Sequence, residues 1–246
     1  MERIDKILSH HGFGSRKDVK KLIHSGAVKI NGKKCYTTDF HVDIMADTIQ
    51  IDDEILEVKR NVYIMMNKCK DVVCANKDGL HRTVFDLLDD KYKIEFLGGI
   101  IHNVGRLDID TEGLLIMTTD GELTHKLISP KSKIEKKYFT RLKNPLTEKE
   151  IQEYIEKFAS GLEIEAEGNE SSFTAQPAKL EMTDSQSAYL TITEGKFHQV
   201  KRMFKAVGNE VVYLKRISEG KLELDPNLKP GQYRELTEKE VEALRH

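Results

Sequence analysis

The sequence lacks the features that mark membrane, secreted or metal-binding proteins. Its longest apolar runs, such as residues 113–117, are far shorter than the roughly 20 residues that a membrane-spanning helix needs. The N-terminus is charged from Glu2 onward and has no apolar segment of the signal-peptide kind. Three cysteines, Cys35, Cys69 and Cys74, form no CxxC pair, which argues against both a disulfide framework and a zinc site. We therefore expect a cytoplasmic protein that binds neither a metal nor a membrane.

The chain also lacks a large net charge, because 39 Lys and Arg residues nearly balance 41 Asp and Glu residues. On its own, this net charge of −2 argues against a nucleic-acid partner. The charges are nevertheless segregated along the chain. Residues 1–34 contain nine basic and three acidic residues, whereas residues 35–58 contain seven acidic residues and no Lys or Arg. The basic block is where a phosphate backbone would be met.

The first 58 residues are predicted to form two short helices and a hairpin. Apolar residues recur at helical spacing in residues 4–8 and again in residues 19–23. Ser15 and Asp18 have the spacing of an N-cap and an acidic third helical residue. Asn31-Gly32 follows an alternating strand and is a strong hairpin signal. Four cations lie away from the apolar stripe of the second helix and form either a solvated surface or an RNA-binding surface: Arg16, Lys17, Lys20 and Lys21.

A larger domain is predicted to begin near Asn61, after a short polar join at Lys59-Arg60. Strands are expected at residues 63–66, 137–142, 178–182 and 188–193, and helices at residues 84–88, 123–128, 148–160 and 197–207. Strands and helices do not alternate regularly, which favours an α+β domain with a largely antiparallel sheet. Only five prolines leave little room for a third domain. We therefore expect two domains, at residues 1–58 and 61–246.

One stretch concentrates acidic residues just before an apolar strand. Asp108, Asp110 and Glu112 follow Arg106 within eight residues. Paired carboxylates suit general acid–base chemistry, as in glycosidases. A metal site is a second interpretation, although no histidine cluster accompanies the acids. A solvated turn, where Asp and Gly are common, is the third.

A second stretch, residues 194–205, combines an apolar stripe of helical period with basic residues. Lys201, Arg202 and Lys205 lie off that stripe. Such cations usually form a solvated face. They could equally bind phosphates or neutralise a buried carboxylate, and the residues alone leave these alternatives open.

The N-terminal motifs resemble an S4 domain, a module that grips structured RNA with its helix pair and hairpin. The resemblance lies in Arg3-Ile4-Asp5-Lys6-Ile7-Leu8, in Gly14-Ser15-Arg16, and in the run from Leu22 to Gly32. It covers about sixty residues. An S4 domain implies RNA as a partner but does not imply a reaction.

Three later motifs resemble those of the ribosomal pseudouridine synthases, in particular the RsuA branch that carries an N-terminal S4 domain. The first is Gly105-Arg106-Leu107-Asp108-x-x-Thr111-x-Gly113-Leu114-Leu115 with Thr118-x-Asp120-Gly121. The others are Glu135-Lys136-Lys137-Tyr138 and the run Gly195-Lys196-Phe197-His198-Gln199-Val200-Lys201-Arg202-Met203-Phe204. The similarity extends through residues 207–209 and 228–237, so it covers nearly the whole chain.

The resemblance implies roles for four residues. Asp108 would be the catalytic carboxylate, acting by attack on C1′, by attack on the uracil ring or by proton removal from C2′. Lys201 would be its counter-ion, and Tyr138 would lie against the uracil. Arg106 would support the flipped nucleotide, unless it forms a structural ion pair with Asp110 or Glu112. The reaction involves no redox step or group transfer, so no cofactor is expected.

The resemblance also implies an RNA surface and a substrate. The implied RNA-binding residues are Arg3, Lys6, Arg16, Lys17, Lys20, Lys21, Lys68, His198 and Arg202. The implied partner is ribosomal RNA, with uridine 516 of the 16S RNA as the usual target of this branch, and the protein is expected to be a monomer. One loop departs from the family, which commonly has Asn-Lys-Pro-x-Gly where this chain has Asn67-Lys68-Cys69-Lys70-Asp71.

Three alternatives remain open at this point. The chain could be an S4 protein that binds ribosomal RNA without catalysis, or a carboxylate-dependent N-glycosidase that releases free uracil. It could also be a synthase of the same family that modifies the 23S RNA. The nature of the product separates the first two from the synthase, and the modified position separates the two ribosomal RNAs.

Overall fold

The computed structural model describes residues 1–44, 46–56, 61–92 and 101–246. The chain forms two compact units, one made of residues 1–62 with 88–102 and the other of residues 63–87 with 103–246. The predicted join at Lys59-Arg60 lies outside the described residues, so the domain boundary at 58–61 stays a prediction. In the described part of the chain, no helix is long and apolar enough to cross a membrane.

The first unit contains the predicted helix pair and hairpin. Its elements are α1 (Ile4–His10), α2 (Arg16–His24), β1 (Glu2–Arg3), β2 (Val28–Ile30), β3 (Lys33–Lys34), β4 (His41–Val42), β5 (Ile49–Ile51) and β6 (Glu54–Ile55). The strand order in its sheet is β3-β2-β5-β6, and β1 pairs with β4. The Asp18 carboxylate accepts a 3.1 Å hydrogen bond from the Ser15 backbone N–H, which confirms the predicted cap.

The helix pair buries one apolar stripe and exposes the basic residues. Val19 and Ile23 of α2 are buried with Ile4, Ile7 and Leu8 of α1 in one core. The four cations assigned to the outer face of α2 are all exposed: Arg16, Lys17, Lys20 and Lys21. The apolar spacing of α2 therefore fixes the direction in which its positive charges point.

The second unit is built around a nine-stranded sheet. The nine strands of the sheet are β7 (Tyr63–Lys68), β10 (His102–Val104), β11 (Glu112–Thr118), β12 (Lys136–Leu142), β15 (Lys179–Met182), β16 (Ser187–Ile192), β17 (Val211–Glu219), β18 (Leu222–Glu223) and β19 (Tyr233–Glu235). Outside this sheet, the unit has the strand pairs β8 (Val72–Val73) with β9 (Arg82–Thr83) and β13 (Leu162–Ile164) with β14 (Phe173–Ala175). Its helices are α3 (Gly121–Ile128), α4 (Glu148–Ser160), α5 (Gln199–Ala206) and α6 (Glu238–Arg245).

The sheet is mixed and mostly antiparallel, as the sequence predicts. The main order is β15-β16-β12-β17-β11-β7-β19, with β10 beside β11 and β18 beside β17. The pair β11–β17 is parallel, whereas β7–β11, β12–β16 and β12–β17 are antiparallel. The α+β class is therefore confirmed, and the end of the loop that holds Asp108 leads straight into the central strand β11.

Two helices pack against the central strand of the sheet. On one face, Leu123 of α3 and Leu244 of α6 share a core with Leu114 and Ile116 of β11. Elsewhere in this unit, the rings of Phe158 on α4 and Phe204 on α5 lie 4.9 Å apart between centroids. Strand β11 is buried from its second residue to its last, so its start is a rigid anchor for the loop before it.

Gly113 is needed because two strands approach it closely. It pairs with Lys68 of β7 on one side and with Arg216 of β17 on the other. Its φ is +103°, and a Cβ atom at this position would collide with the backbone carbonyl oxygen of Arg216. This explains in physical terms why the first motif carries glycine here.

Several element predictions need correction. The helix expected at residues 84–88 is a short 3-10 turn, Val84–Leu87, and α5 begins at Gln199 and not at Phe197. Strand β7 continues to Lys68, two residues beyond the predicted strand at residues 63–66. Helix α4 has the predicted bounds because Thr147 and Glu150 form a capping box in front of an amphipathic run.

Candidate active site

The loop before β11 presents Asp108 at the edge of a cleft. Its turn is closed by a 3.1 Å hydrogen bond from the Thr111 backbone N–H to the Asp108 carbonyl oxygen. Leu107 beside it is buried, whereas the Asp108 carboxylate keeps 28% of its side chain exposed. The cleft is lined by this loop, by Tyr138 of β12 and by residues before and at the start of α5. Asp108 can therefore meet a group that enters the cleft.

Lys201 on the first turn of α5 joins the two acids of this loop. Its Nζ lies 3.0 Å from Asp108 Oδ2 and 2.6 Å from Asp110 Oδ1. Burial alone would lower the pKa of Lys201, but its hydrogen bonds to Asp110 and Asp108 raise that pKa above its usual value. Burial alone would likewise raise the pKa of Asp110, yet Lys201 holds it below its ordinary range. The ammonium therefore keeps both carboxylates beside a fixed positive charge.

His198 lies on the other side of the Asp108 carboxylate. Its Nε2 is 3.7 Å from Asp108 Oδ1. The residue has a left-handed backbone with φ of +48° at the start of α5, which is uncommon for a residue with a side chain. Its ring stacks on Phe197, with centroids 3.7 Å apart. His198 therefore lines the cleft next to the acid, and its predicted RNA contact stays a prediction.

Tyr138 forms the buried wall of the cleft. It is 8% exposed and pairs across the sheet with Arg216 of β17. Burial raises the pKa of Tyr138, although the hydrogen bond and charge of Arg216 oppose that rise. The hydroxyl is therefore protonated at neutral pH. The ring of Tyr138 can stack against a planar base, and its hydroxyl can donate a hydrogen bond.

Arg216 is a residue of this site that the sequence interpretation missed. Its Nε donates a 2.7 Å hydrogen bond to the Leu114 carbonyl oxygen, and its Nη2 lies 3.2 Å from Glu219 Oε2. Both charged groups are almost fully buried, at 2% and 1% exposure. Side chains alternate between the two faces of a strand, so the sequence of β17 places Arg216 on the same face as the buried Leu214. This alternation is the signal that could have identified Arg216. Arg216 ties three neighbouring strands together behind Tyr138.

Lys68 was assigned to RNA binding, and the structure corrects this. The side chain is completely buried, at 0% exposure. Its Nζ donates to the carbonyl oxygens of Cys69, Asp108 and Thr111 at 3.0, 3.0 and 2.9 Å. An ammonium that is surrounded by the carbonyls of the catalytic loop has no surface to offer to a phosphate. Lys68 therefore fixes the backbone that carries Asp108.

Arg202 was also assigned to RNA binding, and it too is buried. It is 4% exposed, and its Nη2 donates to the carbonyl oxygens of Glu165 and Ser171 at 2.5 and 3.1 Å. Arg202 directly follows Lys201 on α5, but the loop over residues 165–171 covers it. The guanidinium holds that loop against α5 and cannot contact RNA in this arrangement.

Comparison with known proteins places the chain. The family model described as RNA pseudouridylate synthase matches residues 62–206, and the S4 domain model matches residues 2–48. The chain belongs to the RNA pseudouridylate synthase family. It carries an S4 domain at its N-terminus, so both resemblances seen in the sequence are confirmed.

Relatives of the synthase align over nearly its full length. It is 43% identical over 247 residues to the uncharacterized RNA pseudouridine synthase YtzG of Bacillus subtilis, with 98% of each chain covered. It is 40% identical to ribosomal small subunit pseudouridine synthase A of Vibrio parahaemolyticus, with 98% of this chain and 99% of that one covered. A crystal structure of a pseudouridylate synthase, 38% identical, superposes with a TM-score of 0.67 and covers 99% of this chain and 100% of that one.

Arg106 of the synthase is exposed and lines the cleft. The acids offered as its structural partners are engaged elsewhere. Asp110 pairs with Lys201, and Glu112 accepts a 2.6 Å hydrogen bond from the Tyr213 hydroxyl. Among the described residues, no carboxylate forms an ion pair with Arg106. Its guanidinium is thus available to a nucleotide at the cleft, and the flipping role stays a prediction.

The other basic residues assigned to RNA binding differ in their surroundings. Arg3 pairs with Asp5 at 2.7 Å, and Lys6 pairs with Glu2 at 3.2 Å. Both side chains remain nearly half exposed, so the pairs leave them accessible. The cations of α2 are the more open group. RNA contacts by all of these residues remain predictions.

The loop that departs from the family pattern ends in a residue with a left-handed backbone. Asp71 has a φ of +62°, a conformation that glycine adopts more easily than a residue with a side chain. Its backbone N–H donates a 3.0 Å hydrogen bond to the Ile109 carbonyl oxygen beside the catalytic loop. Asp71 therefore holds this turn beside the catalytic loop at the conformational cost that a side chain has in this region.

Replacing Asp71 by glycine should stabilise the synthase modestly. We expect the free energy of unfolding to rise by about 0.5 kcal/mol, because relief of the left-handed strain exceeds the entropy that glycine adds to the unfolded chain. The β-branched variant Asp71→Val should be destabilised by about 1 kcal/mol or more. Chemical denaturation measures both. A glycine variant less stable than the wild type would show that the Asp71 side chain contributes more than its backbone costs.

Proposed function

We propose that this synthase isomerises uridine 516 of 16S ribosomal RNA and that Asp108 is its catalytic carboxylate. One observation carries the catalytic assignment: Asp108 lies at a cleft with Lys201 at 3.0 Å and Tyr138 in the wall. A carboxylate, a fixed cation and a protonated phenol around one cleft suit the isomerisation of a neutral base. Residues 1–58 act as the RNA-binding domain and residues 61–246 as the catalytic domain.

The reaction breaks the bond between C1′ and N1 and joins C5 to C1′ within one nucleotide. A proton leaves C5 and N1 gains one, so atoms and electrons balance without a cofactor. Asp108 can start the reaction by attack on C1′, by attack on the uracil ring or by removal of the C2′ proton. All three routes require an ionised carboxylate. Lys201 places its ammonium 3.0 Å from the Asp108 carboxylate and holds the pKa of the neighbouring Asp110 below its ordinary value.

Tyr138 and Arg106 hold the nucleotide in this proposal. Tyr138 is rigid because strand pairing and Arg216 fix it, so its ring can lie against the uracil while the base turns. A stacked uridine cannot reach Asp108, and flipping it out of the stack costs a few kcal/mol. Arg106 is exposed at the cleft and can support the displaced backbone or fill the space that the base leaves.

The names of the relatives support the small-subunit RNA as the substrate, whereas position 516 is the usual target that the family resemblance implies. Proteins 36–40% identical over nearly the full length are named ribosomal small subunit pseudouridine synthase A. We therefore assign this chain to the small-subunit RNA in the cytoplasm, where it acts as a monomer on an assembling small subunit. Mapping pseudouridine in ribosomal RNA from cells with and without the protein tests the assignment. Loss at position 516 of the 16S RNA supports it, and loss at a 23S position assigns a large-subunit target instead.

The basic face of α2 should account for much of the RNA affinity. The triple change Lys17→Gln, Lys20→Gln and Lys21→Gln should weaken binding and reduce the slope of log affinity against log salt by roughly two to three units, about 0.9 per lost phosphate contact on duplex RNA. A matched control replaces three exposed lysines of the second unit: Lys149, Lys157 and Lys239. Filter binding over a salt series measures both. Equal salt slopes of binding for the two triple variants would show that the basic face of α2 does not contact the RNA.

A further inference from the structure

An exposed aromatic ring lies next to the Asp108 cleft. Phe197 is 48% exposed, whereas every other aromatic side chain described in the second unit is more buried. It directly precedes His198, which lines the cleft with its Nε2 at 3.7 Å from the Asp108 carboxylate. A single exposed apolar ring is common on protein surfaces, but this one is stacked on His198, a residue that lines the cleft. The position of Phe197 is thus unexplained by the isomerisation chemistry alone.

The ring is held in place. Phe197 and His198 stack with their centroids 3.7 Å apart and their planes 23° from parallel. The turn that carries them is fastened by Gln199, whose Oε1 accepts from the Lys196 backbone N–H at 2.9 Å. The amide of Gln199 also donates to Glu194 Oε1 at 2.6 Å, and its side chain is 3% exposed. A buried residue therefore maintains the left-handed His198 backbone that brings the two rings together.

The chemistry of the substrate suggests what covers the ring. Flipping one uridine into the cleft removes a stacking partner from each neighbouring base. An unstacked base has an apolar face of about the size of a phenyl ring, and proteins commonly offer aromatic rings to such faces. Phe197 and His198 are already stacked, so a base that lies on the outer face of Phe197 lengthens that stack by one ring.

We propose that the Phe197–His198 pair is a stacking platform for the nucleotide next to the flipped uridine in the substrate RNA. The inference rests on the proposed role of Asp108 as the catalytic centre, because it takes the cleft as the place that the uridine enters. The platform binds a nucleobase through its face and not through its edges. It therefore favours purines over pyrimidines and contributes to the choice of target without reading a sequence by hydrogen bonds.

The test places the fluorescent base 2-aminopurine in an RNA hairpin with the sequence around position 516 of the 16S RNA, either 5′ or 3′ of the target uridine. The full-length Asp108→Asn chain is used, because it is expected to hold the RNA without turning it over. Stacking quenches 2-aminopurine, and loss of stacking makes it brighter. With Phe197 present, one of the two hairpins should stay quenched in the complex.

With Phe197→Leu, the 2-aminopurine fluorescence of the complex should rise severalfold, and the protein should bind the RNA about tenfold more weakly. The reason is that one base–aromatic stack is lost. Phe197→Tyr should retain both the quenching and the affinity. Val212→Ala, which trims a side chain of similar exposure on β17, should behave like the parent. Replacing the neighbouring nucleotide by an abasic one should make the Phe197→Leu variant and its parent bind equally.

The outcomes separate this proposal from the proposed target. If the otherwise unchanged chain forms pseudouridine in the hairpin while Phe197→Leu leaves both quenching and affinity unaltered, the platform is wrong and the target stands. If the hairpin is not modified, yet the quenching depends on Phe197, the platform stands and the target is wrong. A hairpin that is neither modified nor quenched overturns both.

Discussion

Replacing Asp108 by asparagine should lower the rate of pseudouridine formation by more than about 100-fold while RNA affinity changes by no more than a few-fold. Asparagine keeps the size of the side chain but is neither a nucleophile nor an effective base. A 100-fold loss corresponds to about 3 kcal/mol in the activation barrier. Single-turnover rates with excess enzyme measure the chemical step, and filter binding measures the affinity.

Asp110→Asn is the matched control for this change. Asp110 lies two residues away, contacts the same ammonium at 2.6 Å and is 60% exposed on its side chain. Its replacement should cost less than about tenfold in rate, because Asp108 keeps Lys201 as its partner. Residual activity of Asp108→Asn above about one per cent of wild type, or equal losses in the two variants, would contradict the assignment of Asp108.

Replacing Lys201 by methionine should make the activity depend steeply on pH. In the wild type, Lys201 holds the pKa of Asp110 below its ordinary value and touches Asp108 as well. Without the ammonium, two neighbouring carboxylates face each other, and each disfavours the charge of the other. The pKa of Asp110 must therefore rise, and its negative charge is lost as the pH falls. The electrostatics of the loop that holds Asp108 then depend on pH, so activity should be much lower near about pH 6 and recover in part toward about pH 9.

A pH–rate profile and a salt titration distinguish this role from phosphate binding. A phosphate contact that is lost should reduce the salt slope of binding by about one unit and leave the pH profile flat. Loss of a counter-ion should change the profile and leave the slope nearly unaltered. Lys201→Arg should retain more activity than Lys201→Met, because the charge remains although its geometry differs. A flat pH–rate profile together with a reduced salt slope of binding would show that Lys201 contacts an RNA phosphate and is not the counter-ion of Asp108.

Local signals in the sequence predicted much of the fold. Ser15 and Asp18 mark the start of α2, and the structure has that cap. Asn31 and Gly32 both have positive φ between β2 and β3, as the hairpin signal requires. Such features involve residues that are close along the chain. Their physical basis is local, and a single sequence contains it.

The errors concern side chains whose partners are distant in sequence. Lys68 was assigned to RNA binding from the family resemblance, yet its ammonium binds carbonyls some forty residues away at Asp108 and Thr111. Arg202 lies off an apolar helical stripe, but a loop about thirty residues earlier covers it. Period and composition say which face of an element is apolar. They do not say which polar residue a distant backbone will surround.

The candidate site was predictable to the extent that motifs carried it. Asp108 and Lys201 were assigned to each other from the family resemblance, and their side chains lie 3.0 Å apart. Tyr138 lines the same cleft. Arg216 was overlooked because a single arginine in a strand gives no motif. Only the pairing of β12 with β17 brings it to Tyr138.

Release of tritium from ribosomal RNA labelled at C5 of its uridines measures both pseudouridine formation and its dependence on Asp108. C5 loses its hydrogen only if it becomes the carbon joined to C1′, so each pseudouridine formed releases one label. The wild-type protein should release tritium from small-subunit RNA and yield pseudouridine on nucleoside analysis. Asp108→Asn should do neither while it still binds the RNA. Free uracil with retained label, or equal tritium release by the two proteins, would contradict it.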